Sequence, residues 1–345
     1  MRFGFFDQVP RADWQTERQR YQDILAQIEL GDQLGFHTAW LGELHFIPSI
    51  SCLASPLMIL AAAAQRTQRI RLGTAVTLLP LHNPVKMAED AATLDVLSGR
   101  RLEFGVGRGA APVYFSGYNV PQQETRERFE ESLAIILRAW TSGRLSYQGK
   151  YWQIDDLLLT PKPLQNPHPP IRVAANSPET FAAAGREGFP IFASPLINPP
   201  DKLQEYLTVH REHLKPGVKQ DIALAFPVHV AASRAQARQE CEESLMSFFK
   251  AAGELIKPLA NAPVKSYERY EKLRERLTQT TFESIDREIG VFGDPNYCVQ
   301  RIQTLRQQFP MEEFICYFNR GGLIEHARVR HSMELFAREV MPHCL

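Results

Sequence analysis

Eight short, β-rich apolar runs, each followed by a segment with helical spacing, constrain this 345-residue chain more than any other feature. Residues 2–6 form the first run, and 18–34 carry Tyr21, Ile24, Leu25, Ile28 and Leu34 at helical spacing before Gly35 closes the turn. Residues 38–41 follow as the second strand. Pro56 suits the first turn of a helix to residue 66, residues 70–79 are a third strand, and Pro84 opens a helix through residue 97. Residues 102–106 make the fourth strand and 125–140 its helix. After a hairpin over 144–159, turning at Gln148, Gly149 and Lys150, the rhythm resumes. Strands at 171–175, 191–193, 222–231 and 314–318 alternate with helices at 178–187, 200–214, 235–249 and 324–340. Parallel neighbours require helical crossovers, so the pattern predicts an α/β fold, a (β/α)8 TIM barrel with its working groups at the C-terminal ends of the strands. One domain over 1–345 is expected, with the hairpin (143–160) inserted. A second insertion is expected over 253–292. That segment is poor in aliphatic residues and rich in charge, and reads either as a mobile lid after strand seven or as a solvated helical excursion.

Composition removes several function classes. Lys plus Arg and Asp plus Glu are equal at 39 each, so no net field favours nucleic acid or an anionic membrane. The most apolar window, 55–64, is too short to span a bilayer. The five cysteines form no C-x-x-C pair, and MRFGFF has neither a basic n-region nor a long apolar h-region, so a reduced, cytoplasmic protein with a small-molecule partner is expected.

The chemistry concentrates in LEFGVGRGAAP, 102–112, where a buried strand breaks into three alternating glycines around Arg108. Glycine amides and a fixed guanidinium suit a phosphate, the alternative being an ion pair with a carboxylate. A dinucleotide-binding turn requires a helix to begin within the glycines, whereas here the next helical pattern begins near Gln122. Asn176 and Ser177 precede Pro178 at a helix N-terminus, where they complete a phosphate cradle, cap the helix, or do both. Glu43 and His45 end strand two at the catalytic rim. His45 either assists proton transfer or hydrogen-bonds a neighbouring strand. His82 and Asn83 follow strand three; Asn83 reads as a turn residue before Pro84. Tyr114, Phe115 and Tyr118 either face an apolar substrate or fill the core of a loop. Arg320, Gly321 and Gly322 line the pocket floor or form a plain turn. His210 and His213 read as a solvated helix face, and no metal set is found.

The runs GFHTAWLGELHF (35–46), IRLGTAVTLLPLHNPVKMAEDAATLDVLSGRRLEFGVGRG (70–109) and FICYFNRGG (314–322), with MRFGFF and SMELFAREVMP, resemble the bacterial luciferase-like, flavin-dependent monooxygenases. The resemblance implies a TIM barrel, usually a homodimer, that takes FMNH2 from a separate flavin reductase, traps dioxygen as a flavin C4a-hydroperoxide and oxygenates a small organic substrate. It implies Arg108 as the flavin-phosphate arginine, with Gly107, Gly109, Asn176 and Ser177 beside it. It places a non-prolyl cis peptide at Ala75–Val76 beneath the flavin ring, His45 and Glu43 as catalytic groups, and Tyr114, Phe115 and Arg320 near the substrate. Light-emitting members carry Glu-His-His where this chain has Glu43-Leu44-His45. Their reactive cysteine corresponds to Gly107 and a tryptophan to Pro195, which argues against luminescence with a long-chain aldehyde. Two other functions remain open: F420-dependent hydride transfer on the same barrel, and a non-catalytic flavin-binding partner subunit.

Overall fold

The computed structural model describes residues 1–256 and 275–344. Eight parallel strands close into a ring. β1 (Arg2–Asp7) pairs with β2 (Thr38–Leu41), which pairs with β3 (Arg71–Thr74). β3 and its continuation β4 (Thr77–Leu78) both pair with β5 (Leu102–Gly107). The hairpin β6 (Leu145–Gln148) and β7 (Gln153–Leu157) stands apart as an antiparallel pair. The ring continues through β8 (Ile171–Ala174), β9 (Ile191–Ala193) and β10 (Ile222–Val230). A short strand β11 (Val291–Gly293) adds to the end of β10, and β12 (Glu313–Tyr317) returns to β1. This is the expected (β/α)8 barrel.

The helices begin and end where local chemistry directs. α1 (Glu17–Leu34) starts with a reciprocal Thr16/Gln19 capping box and stops at left-handed Gly35. Proline sits in the first turn of α2 (Pro56–Ala64), α3 (Pro84–Ser98), α6 (Pro178–Glu187) and α7 (Pro200–Glu212), where its missing N–H has no intrahelical partner to lose. Asn83 accepts from the Val85 and Lys86 amides as the N-cap of α3, as its turn reading predicts. α5 (Thr125–Thr141) and α8 (Arg234–Ile256) cover β5 and β10.

Inside the ring, fully buried Trp40 packs with Ala223 and Ile315, flanked by Phe6, Ala75, Phe192 and Ala225. A Cβ on Gly73 would lie 2.0 Å from the Trp40 ring, so the indole occupies space that only glycine leaves open. The Trp40 Nε1–H donates to Glu313 Oε1 at 2.8 Å. Glu313 in turn lies 3.9 Å from Arg172, which reaches Asp221 at 3.0 Å. This charged network seals the N-terminal end of the barrel. At the opposite end, buried Arg20 pairs with Asp7 at 2.6 Å and donates to the Pro10 carbonyl, fixing the loop after β1.

Four features correct the sequence reading. The run 70–79 is not one strand: pairing stops at Thr74 and resumes at Thr77, around a cis Ala75–Val76 peptide. The loop after β5 is partly helical, as α4 (Pro112–Gly117), because Pro112 fills a first turn instead of breaking one. Of the expected insertion over 253–292, residues 257–274 lie outside the described residues, and residues 282–292 are well packed. There Phe282 and Phe292 stack at 5.1 Å and both are buried, because β11 extends the sheet beside β10. Finally, His210 is not solvated. It is fully buried on α7, with Nε2 3.3 Å from the Phe189 carbonyl oxygen, while His213 lies beside the Val209 carbonyl.

Candidate active site

The C-terminal ends of β5 and β8 open into a cavity of about 450 Å³ between α5 and α6. Gly107 and Arg108 line it from the end of β5, and Thr180 from the first turn of α6. Arg126 and Arg186 also line its wall, together with the carboxylates Glu130, paired with Arg126 at 3.3 Å, and Glu187. Ser177 precedes α6 with its hydroxyl 3.2 Å from that of Thr180. Arginine side chains, glycine backbone and the N-terminal end of a ten-residue helix suit a dianionic phosphate. Asn176 adjoins Ser177 at the end of β8, and Gly109 turns the chain away with φ +81°. Thr180 is a functional candidate the sequence reading missed. Its signal was available, since it follows Ser177 by one helical turn.

Beside this cavity, Val76 lies against Gly107, and Ala75 faces the barrel interior next to Trp40. Thus the residues expected beneath a flavin ring and those expected around its phosphate do adjoin. Above them stands an apolar cluster of Ile47, Ile50, Leu78, Ala111 and Tyr114, with Leu44, Val76 and Phe248 packed onto it. Phe115 turns away to pack near Gly109.

Glu43 and His45 follow β2 and are buried. An ionised carboxylate only accepts, so the Nε2–H groups of His45 and His82 both donate to Glu43 Oε1, each at 2.7 Å. The Leu78 amide donates to Oε2 at 3.1 Å. Burial alone would raise the Glu43 pKa, but the hydrogen bonds from the two imidazoles outweigh it and hold the carboxyl below its ordinary value. On the other side of the His45 ring, the Tyr118 hydroxyl lies 3.2 Å from Nδ1. Tyr118 is 40% exposed, so the line Tyr118, His45, Glu43, His82 connects solvent to a buried carboxylate. Tyr114 meets the His45 ring edge-on at 5.8 Å. The convergence of His82 on Glu43 was not read from the sequence. The three groups' ligand atoms lie within 4.8 Å of one another, a geometry also compatible with a cation.

Arg320 follows β12 on another side of the mouth. Its guanidinium lies over the rings of Phe248 at 4.0 Å and Tyr317 at 4.8 Å. The turn beyond it takes positive φ at Gly321 and Gly322.

The barrel thus brings Gly107, Arg108 and Thr180 around one cavity at strands four and five and buries a His–Glu pair after strand two. The chain belongs to the luciferase-like monooxygenases, a family of enzymes whose model matches residues 1–312. It is 28% identical over 359 residues to the oxygenase component of flavin-dependent trigonelline monooxygenase from Acinetobacter baylyi, covering 99% of this chain and 95% of that one. An uncharacterized protein of Sinorhizobium fredii is 37% identical over 186 residues, and this match spans only 54% of either chain. Among solved structures, a monooxygenase from Streptomyces bottropensis superposes with a TM-score of 0.82 at 27% identity, over the full length of both chains. The FMN complex of 3,6-diketocamphane monooxygenase from Pseudomonas putida shares the fold, with a TM-score of 0.81 at 20% identity over 100% of this chain and 99% of that one. No helix among the described residues is long and apolar enough to cross a membrane.

Proposed function

We propose that this protein is the oxygenase component of a two-component system, using FMN reduced by a separate flavin reductase to insert oxygen from O2 into a small organic substrate. The observation that carries this reading is the meeting of Gly107, Arg108 and Thr180 around one cavity at the C-terminal ends of β5 and β8. Arg108 anchors the flavin phosphate, with the hydroxyls of Ser177 and Thr180 at the positive end of α6 completing the cradle and Asn176 and Gly109 shaping its edge. Ala75 and Val76 form the platform for the ring. The bound reduced flavin supplies the activation of dioxygen.

The chain's own side chains handle protons and water. Leu44, Ile47, Tyr114 and Phe248 make the mouth apolar, which keeps water from the reacting atoms. His45 passes protons between solvent at Tyr118 and the carboxylate of Glu43, which His82 on the same oxygen and the Leu78 amide on the other hold in place. Dimerisation uses the outer face of α2, where Met58 is 72% exposed beside a cavity of about 490 Å³ lined by Leu57, Met58, Ala61 and Leu97.

The test is anaerobic titration with FMNH2, in wild type and Arg108→Ala, followed by stopped-flow mixing with oxygenated buffer. Tight binding that weakens by about ten- to a hundredfold in the variant is expected, as for loss of a charged hydrogen-bond partner. Oxygen-dependent reoxidation of the bound flavin should follow. Reduction of added F420 without oxygen uptake would overturn the reading in favour of hydride transfer on the same barrel.

A further inference from the structure

Arg320 is partly shielded from solvent and has no charge partner among the described residues. Among the described residues no carboxylate pairs with it, its Nε is buried without a hydrogen-bond acceptor, and burial pushes its pKa down to about 10. The nearby carboxylate Asp7 is already committed to Arg20. The buried arginines Arg20 and Arg172, by contrast, each have a carboxylate, Asp7 and Asp221 respectively. The buried Nε–H of Arg320 lacks an acceptor, and an unmade hydrogen bond at a charged group is costly, so an anion that supplied one would be favoured there.

The surroundings say where that charge arrives. Phe248 and Tyr317 fix the guanidinium by their rings. The Ser244 hydroxyl donates to the Arg320 carbonyl at 2.7 Å, tying its backbone to α8. Phe248 also packs onto the apolar cluster that holds Leu44, Val76 and Tyr114. The cation therefore borders an apolar mouth, a layout that receives an amphipathic molecule with one anionic end. A planar fork of N–H donors matches a carboxylate in particular.

We propose that Arg320 selects substrates bearing a carboxylate on an apolar body, with the guanidinium binding the carboxylate and the mouth cluster the remainder. This rests on the reading of the mouth as the oxygenation site and adds the substrate class. The experiment uses the full-length protein loaded with FMN, with calorimetric binding of matched probes: benzoate against benzamide, and cyclohexanecarboxylate against its amide. Wild type is expected to favour the acids by about tenfold or more, the scale of one charged hydrogen bond. Arg320→Met should abolish that preference while keeping FMN affinity and melting temperature. Arg320→Lys should retain part of it, which separates charge recognition from a folding defect.

Equal binding of acids and amides by wild type, binding of neither, or a preference that survives in Arg320→Met overturns the proposal. So does a loss of reduced-FMN affinity in Arg320→Met with the acid preference intact, which would assign the cation to the flavin ring. FMN binding is measured first on its own. Failure there sinks the flavin reading, whereas an Arg320-dependent acid preference without FMN would leave the selectivity standing.

Discussion

Val76 fills the space that a side chain at position 107 would need: a Cβ on Gly107 would lie 2.5 Å from Val76 Cγ2. Gly107→Ala is therefore expected to displace Val76 and destabilise the protein by about 1–3 kcal/mol, the usual scale of overpacking. Val76→Ala should restore part of the loss in the double variant, because the two positions share one space. Denaturant melts of the four-member cycle measure it, and additive losses would show that the contact does not couple them.

Glu43→Gln should remove the negative charge on the acceptor shared by two imidazoles while keeping volume. The expected result is loss of oxygenation of about a hundredfold or more, the range for general acid–base groups, with FMN affinity little changed. Equal losses in both would instead mark Glu43 as a purely structural residue. Tyr118→Phe cuts the line at its solvent end and should slow turnover less.

Arg20 and Asp7 are both buried and bonded at 2.6 Å. Arg20→Ala leaves the carboxylate unpaired, and a loss of about 3–5 kcal/mol is expected. Equilibrium unfolding checks it. Arg20→Met with Asp7→Leu should be less destabilised than either single variant if the cost is the stranded charge.

Stability should fall on the acid side of neutrality. Burial lowers the pKa of His210 and His229 below the ordinary 6.5, in His229 despite its hydrogen bond to Glu240. The unfolded chain then binds more protons than the folded one as pH drops through about 6.5, so stability is full above that value and is lost below it. Glu43, whose pKa is lowered from 4.5, contributes its own loss only at lower pH. Urea melts from about pH 8 to 5.5 should show this slope, and His229→Gln should flatten it. A slope unchanged by that variant would assign the effect elsewhere.

Met58→Asp places a charge on the exposed apolar face of α2. Sedimentation velocity should show a dimer in wild type and a monomer in the variant. A wild-type monomer, or a variant that still dimerises, would move the interface off this helix.

The barrel was legible because its strands are apolar runs bounded by glycine, proline and charge, as at 102–106 and 222–231. The break after Thr74 was not, since apolar residues continue on both sides and the isomer of a peptide bond leaves no mark in residue type. α4 was hidden by Pro112 and Gly117, which punctuate loops and helix ends alike. That Arg108 and its glycines stand at the end of a barrel strand showed in the run 102–109, whereas Glu43 and His82 meet only after α2 and β3 fold the chain back. The burial of His210 was recoverable: Leu203, Leu207 and His210 fall on one stripe of α7.

Trp40, anchored to Glu313, makes the barrel a cul-de-sac. Everything that visits must use one doorway, and a tube with one doorway imposes a queue. On the proposed reading, a guest seated deep against Ala75 arrives before the one that rests near Phe248 and Arg320, and departs after it. The order of traffic then follows from the single indole that closes the floor.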